Sequence, residues 1–176
     1  FGQALAEAFS HRSYLLLTAG FFVCGFHLAF VTTHLPPYIV DKGLDPRIGA
    51  WALALIGLFN VVGSLASGWI GQNYSKPIFL ALIYLARAVA IALFVLFPTT
   101  PASVLMFAAV LGLLWLSTVP PTSGLVAIMF GPKYMGTLMG IVFLSHQIGA
   151  FLGVWLGGRL FDQTGSYDVV WWLGVA

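Results

Sequence analysis

The sequence has very few charged residues, since Lys, Arg, Asp and Glu together make up 7% of its 176 residues. A water-soluble domain carries roughly 25% charged residues, because its surface must be hydrated. The net charge is only +2 and includes no basic block, which argues against a nucleic-acid-binding protein. Cys24 is the single cysteine, so no disulfide can form within the chain. These absences leave lipid as the solvent for most of the chain.

Apolar residues are abundant, at 60% of the total, and they form long runs between short charged clusters. A helix needs about 20 residues to cross a bilayer, and an open sheet would leave backbone groups unpaired in hydrocarbon. The sequence therefore predicts an all-α membrane protein, with residues 1–12 as a linker or interfacial segment from something upstream. The predicted spans are residues 13–40, 48–71, 77–97, 102–130 and 135–160, with a sixth that begins near residue 169 and is cut off at residue 176.

Two stretches of the sequence resemble each other: NVVGSLASGWIG at 60–71 and HQIGAFLGVWLG at 146–157. Gly149 lies 86 positions after Gly63, and the same offset relates Trp155 to Trp69. Spans one to three thus resemble spans four to six, and because three is odd the second copy must enter the membrane upside down. Inverted repeats are typical of secondary transporters. We predict two inverted three-helix repeats, residues 13–97 and 98–176, with the last helix truncated.

Small residues and prolines recur at related positions in the two copies. Small residues four apart let helices approach closely, and prolines disturb helices, so both sets are predicted to serve helix packing and gating. These residues are Gly63, Ser67, Gly71, Gly149, Gly153 and Gly157, together with Pro36, Pro37, Pro120 and Pro121.

Three segments carry a resemblance to a known family: FHLAFVTTHLPPYIVDKGL (26–44), YLARAVAIALF (84–94) and the long segment WLSTVPPTSGLVAIMFGPKYMGTLMGIVFLSHQIGAFLGVWLGGRLFDQTGSYD (115–168). In order and spacing they resemble the carboxyl-terminal half of major facilitator superfamily transporters, nearest to the bacterial group similar to monocarboxylate porters. The resemblance implies helices seven to twelve, a cytoplasmic amino-terminal end and an amino-terminal six-helix half as partner. The aspartate and arginine that animal monocarboxylate transporters carry on the second of these helices are absent, and this chain has only Asn60 in their place.

Polar side chains inside the apolar spans are candidates for a solute-binding cavity. Arg87 lies eleven residues past Lys76, about 16 Å along a helix and near the bilayer centre, so its guanidinium must face protein or water. It either binds an anionic substrate through paired hydrogen bonds or ties its span to carbonyls freed in another helix. The candidates for the cavity are His27, His34, Asn60, Arg87, Trp115, Ser117, Thr118, Ser123, His146 and Gln147.

His27 and His34 are seven residues apart, hence on one helix face and about 10.5 Å apart along the axis. That separation is too long for both to bind one metal ion, and neither a metal nor a cofactor is predicted. A cavity-facing stripe with proton coupling is one interpretation, because imidazole titrates near neutrality. In the other, His34 satisfies a carbonyl that Pro36 leaves free.

The segment STVPPTS at residues 117–123 combines two prolines with four hydroxyls. The prolines are expected to remove donors and disturb the helix, and the hydroxyls to restore hydrogen bonds. Such a break is either a plain kink or a gate or binding site of a transporter.

The function predicted from these features is secondary active transport of a small organic anion, such as a monocarboxylate, by rocker-switch alternating access, with protons as a candidate coupling ion. The alternatives are efflux of hydrophobic drugs and a structural membrane subunit. An enzyme is not predicted, since the spans contain no carboxylate to serve a histidine. The predicted location is a cell membrane, the bacterial inner membrane, crossed several times.

Overall fold

A computed structural model describes residues 2–175, apart from the side chains of residues 3 and 4. Phe1 and Ala176, which the sequence assigns to the linker and to the truncated span, lie outside the described residues. Across residues 2–175 the regular structure is helical throughout. The helices are α1 (Gly2–Ser10), α2 (Arg12–Asp41), α3 (Pro46–Asn73), α4 (Lys76–Leu96), α5 (Pro101–Leu114), α6 (Val119–Phe130), α7 (Met135–Thr164) and α8 (Asp168–Leu173).

Five stretches are long and apolar enough to cross a membrane: α2, α3, α4, α5 with α6, and α7. The all-α membrane fold predicted from the sequence is confirmed, with most helix ends displaced by only one to four residues. Two helix starts, those of α3 and α5, have side-chain caps and a proline in the first turn. Asp45 accepts a hydrogen bond from the Arg47 amide at 2.8 Å, and Thr100 and Ser103 form a capping box.

In two segments the structure adds detail to the prediction. The amino-terminal segment predicted as a linker or interfacial piece contains helix α1, whose Ala8 is buried in a cluster with Tyr14 of α2. The fourth span, predicted over 102–130 with a break at STVPPTS, is interrupted between α5 and α6.

Helix α7 packs along α2, and the two helices run in the same direction. A Cβ atom added at Gly149 would meet the carbonyl oxygen of Phe22, and one added at Gly153 would lie 2.5 Å from the carbonyl oxygen of Phe26. Residue numbers therefore rise together along both helices, and glycine allows the two backbones to touch.

Helix α3 packs along α5 and α6 in the same way. Gly112 faces the backbone of Ile56, and Ser67 of α3 hydrogen bonds to Ser117 beyond α5. The first helix of each predicted unit thus lies beside the second helix of the other unit and parallel to it. Because α2 and α5 are three crossings apart, they run in opposite directions, as inverted repeats require.

The buried core forms two aromatic-rich clusters at opposite ends of the bundle. One includes Phe30, Phe94 and Trp171, and the other includes Tyr14 and Phe21. Between these clusters along the helices lie the buried polar side chains of Cys24, Arg87 and Thr118. The fold therefore sets a polar layer between two apolar ones.

Candidate functional site

The interruption between α5 and α6 covers residues 115–118. Pro120 and Pro121 follow it and occupy the first turn of α6. A proline in a first turn costs no helical hydrogen bond, because its amide would have no partner there. The sequence placed the disturbance in the segment 117–123, and the structure places the interruption just before the two prolines, which begin the next helix. A proline leaves the carbonyl four residues earlier without its helical donor, and for these two prolines those carbonyls belong to Leu116 and Ser117.

The five backbone carbonyls at the end of α5 and in the interruption, residues 113 to 117, all accept a hydrogen bond. Helix ends buried in a membrane require such partners, since no water can supply them. The donors are Ser117 Oγ to Leu113, Arg87 Nη2 to Leu114 and Trp115, the Val119 amide to Leu116 and Ser67 Oγ to Ser117.

Arg87 supplies the positive charge at this break. Its side chain is 0% exposed, and Nη2 donates to the carbonyls of Leu114 and Trp115, the latter at 2.8 Å. Nη1 donates to the sulfur of Cys24 at 3.1 Å. A cation is favourable at the carboxyl end of a helix, where the backbone dipoles leave partial negative charge. Of the two sequence interpretations, these contacts describe the one in which Arg87 binds freed carbonyls.

Asn60 reaches the same break from α3. Its Oδ1 accepts hydrogen bonds from the Leu116 amide at 3.0 Å and from Ser64 Oγ at 3.3 Å. Because the Leu116 amide and the Ser64 hydroxyl both donate, the carboxamide oxygen of Asn60 must face them, and its NH2 group must point the other way. Its Nδ2 makes no hydrogen bond to any residue from 2 to 175. Two amide hydrogens are therefore held in a fixed direction beside Leu116, which is 38% exposed.

The histidines of α2 are turned into helix contacts. His34 Nε2 donates to the carbonyl of Val154 at 3.0 Å, and its ring fills the space that the missing side chain of Gly157 leaves open. The carbonyl belongs to α7 and is not one freed by Pro36. His27 is buried against Gly174, beyond α8. Both rings are thus buried among residues 2–175, and the cavity-facing stripe stays a prediction.

The remaining candidates lie at the break, near it or on the surface of the bundle. Thr118 Oγ1 lies 3.6 Å from Cys24 Sγ, and Trp115 packs against the larger core cluster. Ser123 donates to a carbonyl of its own helix. His146 is half-buried on the side of α7 that faces α2, with its ring 5.2 Å from that of Phe21 between centroids and beside Cys24, and its Nδ1 lies 3.2 Å from Oε1 of the exposed Gln147. Asn60, Arg87, Trp115, Ser117 and Thr118 thus gather at the break, and His146 reaches the same layer through Cys24. His34, Gln147 and Ser123 do not join them.

Sequence reasoning missed two side chains of this site. Ser64 lies four residues after Asn60, the spacing at which side chains on a helix meet, and this was the available signal. Cys24 bonds to Arg87, but a single cysteine in an apolar span gives no sign of that partner.

The small residues largely occupy the predicted helix contacts. Backbone or side-chain atoms of a neighbouring helix crowd Gly63, Gly149, Gly153 and Gly157, and Ser67 makes an interhelical hydrogen bond. Gly71 differs, because a Cβ atom there would meet nothing within 4 Å. Pro36 and Pro37 lie inside α2, which continues through them, and Pro36 packs against Gly49 of α3.

We expect Pro120→Ala to leave the break in place. Its position in the first turn of α6 makes the proline favourable but not necessary there, so the loss of stability should stay below about 1 kcal/mol. The thermal midpoint of the purified full-length protein measures this. A large drop would mean that the prolines, not the side-chain bonds, make the break.

A bundle of parallel and antiparallel apolar helices with a broken helix at its polar layer is the architecture of a multi-pass membrane protein of the transporter type. The chain belongs to the Major Facilitator Superfamily, whose family model matches residues 2–173. The resemblance seen in the sequence is thereby confirmed.

Comparison with curated proteins gives relatives of the same kind. An uncharacterized MFS-type transporter of Bacillus subtilis is 27% identical over 88% of this chain and 39% of its own length. Monocarboxylate transporter 13 of Rattus norvegicus is 28% identical over 81% of this chain and 33% of its own length. Monocarboxylate transporter 12-B of Danio rerio is 26% identical over 92% of this chain and 33% of its own length. The chain therefore spans between a third and two fifths of these relatives.

Proposed function

We propose that the full-length protein is a secondary active transporter that moves a small organic anion, such as a monocarboxylate, by rocker-switch alternating access. This chain would be its carboxyl-terminal half, built from the units 13–97 and 98–176, and an amino-terminal six-helix half would complete the cavity. The family and the names of the relatives support transport over catalysis. The proposed setting is a bacterial inner membrane.

The observation that carries the proposal is the oriented carboxamide of Asn60. Ser64 and the Leu116 amide hold its oxygen, so its two N–H donors have one fixed direction. Donors fixed in advance bind a carboxylate without further ordering of the side chain, which favours affinity. A neutral donor also releases its ligand more readily than a bidentate arginine would, as a carrier requires.

The charge of Arg87 supports an anion over a cation. No carboxylate lies within ion-pair distance of Arg87 among residues 2–175, and carbonyl and thiol groups only solvate its charge. In a low-dielectric layer such a charge acts over several ångströms. An anion bound beside Leu116 would therefore gain attraction without touching the guanidinium. Protons remain the proposed coupling ion, with the half-buried His146, beside Cys24 of α2, as the titratable group.

Trp115 favours one second candidate, the efflux of hydrophobic drugs. Its half-buried ring lies within the break and offers an apolar face to a solute. The two functions differ in a simple test with proteoliposomes of the full-length protein. Gradient-driven uptake of small labelled monocarboxylates supports the anion carrier. Transport of lipophilic cations alone supports drug efflux. No flux of any solute would instead support a structural membrane subunit.

We expect Asn60→Asp to reduce monocarboxylate uptake by at least about tenfold while the protein stays folded. The carboxyl oxygen can still accept from the Leu116 amide, so the break is kept, but the amide donors are lost and a negative charge faces the anion. Initial uptake rates and the thermal midpoint measure the two effects.

The matched control for Asn60→Asp is Ser64→Ala, which removes a neighbour of Asn60 but leaves its donors in place. This variant should lose less than about threefold in uptake. Wild-type uptake by Asn60→Asp would contradict the proposed role of the carboxamide.

A further inference from the structure

Two carbonyls of the break in the fourth span are bound from α4, the helix that follows the one carrying Asn60. We infer that Arg87 is a positioning residue for solute binding: it fixes the end of α5 and thereby the direction in which the Leu116 amide and Asn60 face. This inference rests on the proposed transport function and assigns Arg87 no contact with the solute.

Arg87 takes the place of two helical donors. In a continuous α-helix the carbonyls of Leu114 and Trp115 would accept from the amides four residues later, those of Thr118 and Val119. In this structure the Val119 amide donates to Leu116 instead, at 3.0 Å, and Arg87 donates to both carbonyls. The guanidinium thus stabilises the interrupted form against the continuous helix.

The interruption is what brings Leu116 to Asn60. With the ladder broken, the Leu116 amide turns towards α3 and donates to Asn60 Oδ1, while Ser67 of the same helix binds the carbonyl of Ser117. In a continuous helix that amide would donate to the carbonyl of Gly112. Arg87 on one side and the α3 side chains on the other therefore hold one and the same backbone conformation.

Arg87 is enclosed by several helices. It is 0% exposed, it also donates to Cys24 of α2, and its guanidinium lies 5.7 Å from the ring of Tyr84. A lysine ammonium carries the charge but lacks the planar fork that serves several acceptors from one fixed group. Lysine should therefore preserve the geometry only in part.

A distance measurement tests the geometry without depending on any substrate. Met106 of α5 and Ile128 of α6 are 67% and 69% exposed, so cysteines placed there can carry spin labels. The labels would be attached in the full-length protein after replacement of its other accessible cysteines, with the buried Cys24 kept. We expect Arg87→Gln to shift or broaden the interlabel distance, Arg87→Lys to do so less, and Arg159→Gln, an exposed control on α7, to have no effect.

Uptake of a labelled monocarboxylate by the same proteins gives the second readout. We expect Arg87→Gln to raise KM by about tenfold with Vmax reduced by less than about threefold, and Arg87→Lys to restore part of the loss. In the double variant Arg87→Gln/Asn60→Ala, KM should rise by much less than the product of the two single increases, because both residues act through one backbone conformation.

The outcomes separate the two proposals. Unchanged interlabel distances in Arg87→Gln, or fully additive effects with Asn60→Ala, would overturn the positioning role. Should Arg87→Gln not fold, the intermediate behaviour expected of Arg87→Lys decides the question, and wild-type distances and KM in that variant would overturn the role. If the wild-type protein takes up no anion, the proposed function fails, while the distances still show whether Arg87 holds the break.

Discussion

Replacing Gly149 with alanine is expected to prevent the formation of a stable folded protein. A Cβ atom at this position would collide with the carbonyl oxygen of Phe22, and a backbone atom cannot move aside as the end of a flexible side chain can. The same interface contains Gly25, which lies equally close to the carbonyl of His146. Helices α2 and α7 would have to separate along their contact, at a cost of more than about 3 kcal/mol.

The matched control for Gly149→Ala lies on the same helix. A Cβ atom at Gly158 would meet nothing within 4 Å, so Gly158→Ala should keep or slightly raise the thermal midpoint. Size-exclusion chromatography and thermal unfolding of both full-length variants in detergent measure the difference. Equal behaviour of the two variants would contradict the close contact of α2 and α7.

The second large effect is expected for Trp171→Ala. This indole is 1% exposed and packs edge-on against Phe30 at 4.8 Å and Phe94 at 5.4 Å between ring centroids. Its removal leaves a cavity where α2, α4 and α8 meet, which typically costs about 3–5 kcal/mol for a large aromatic side chain. The thermal midpoint of the full-length protein should fall by many degrees.

Trp172 provides the control for this substitution, since it is the next residue and is 45% exposed. Trp172→Ala should change the midpoint little, because its ring contributes no comparable buried packing. A larger effect at Trp172 than at Trp171 would show that α8 is rotated from the position described.

Much of the fold could be predicted from the sequence because the signals are local or periodic. The long apolar runs gave the five spans to within a few residues, and the matched glycines pointed to the helix contacts now seen at Gly63 and Gly149. The bilayer helps here, since it requires every spanning segment to satisfy its own backbone and so leaves few alternatives to helix.

The site was harder to predict because its contacts join residues far apart in the chain. Arg87 and Leu114 are 27 residues apart, and Asn60 and Leu116 are 56 apart, so no local pattern reveals either bond. The prolines at 120 and 121 indicated a break in this span, but they did not reveal that side chains of α3 and α4 bind its carbonyls. The two α2 histidines looked like a polar stripe, yet the glycine at 157 admits one ring into the helix contact.

The central claim is that the surface beside Asn60 and Leu116 is the solute site of an alternating-access carrier. Leu116→Cys in the full-length protein tests it, with membrane-impermeant thiol reagents applied from each side of oriented vesicles. The account predicts reaction from both sides and protection by a small monocarboxylate. Reaction from neither side, or reaction that no anion affects, would contradict it.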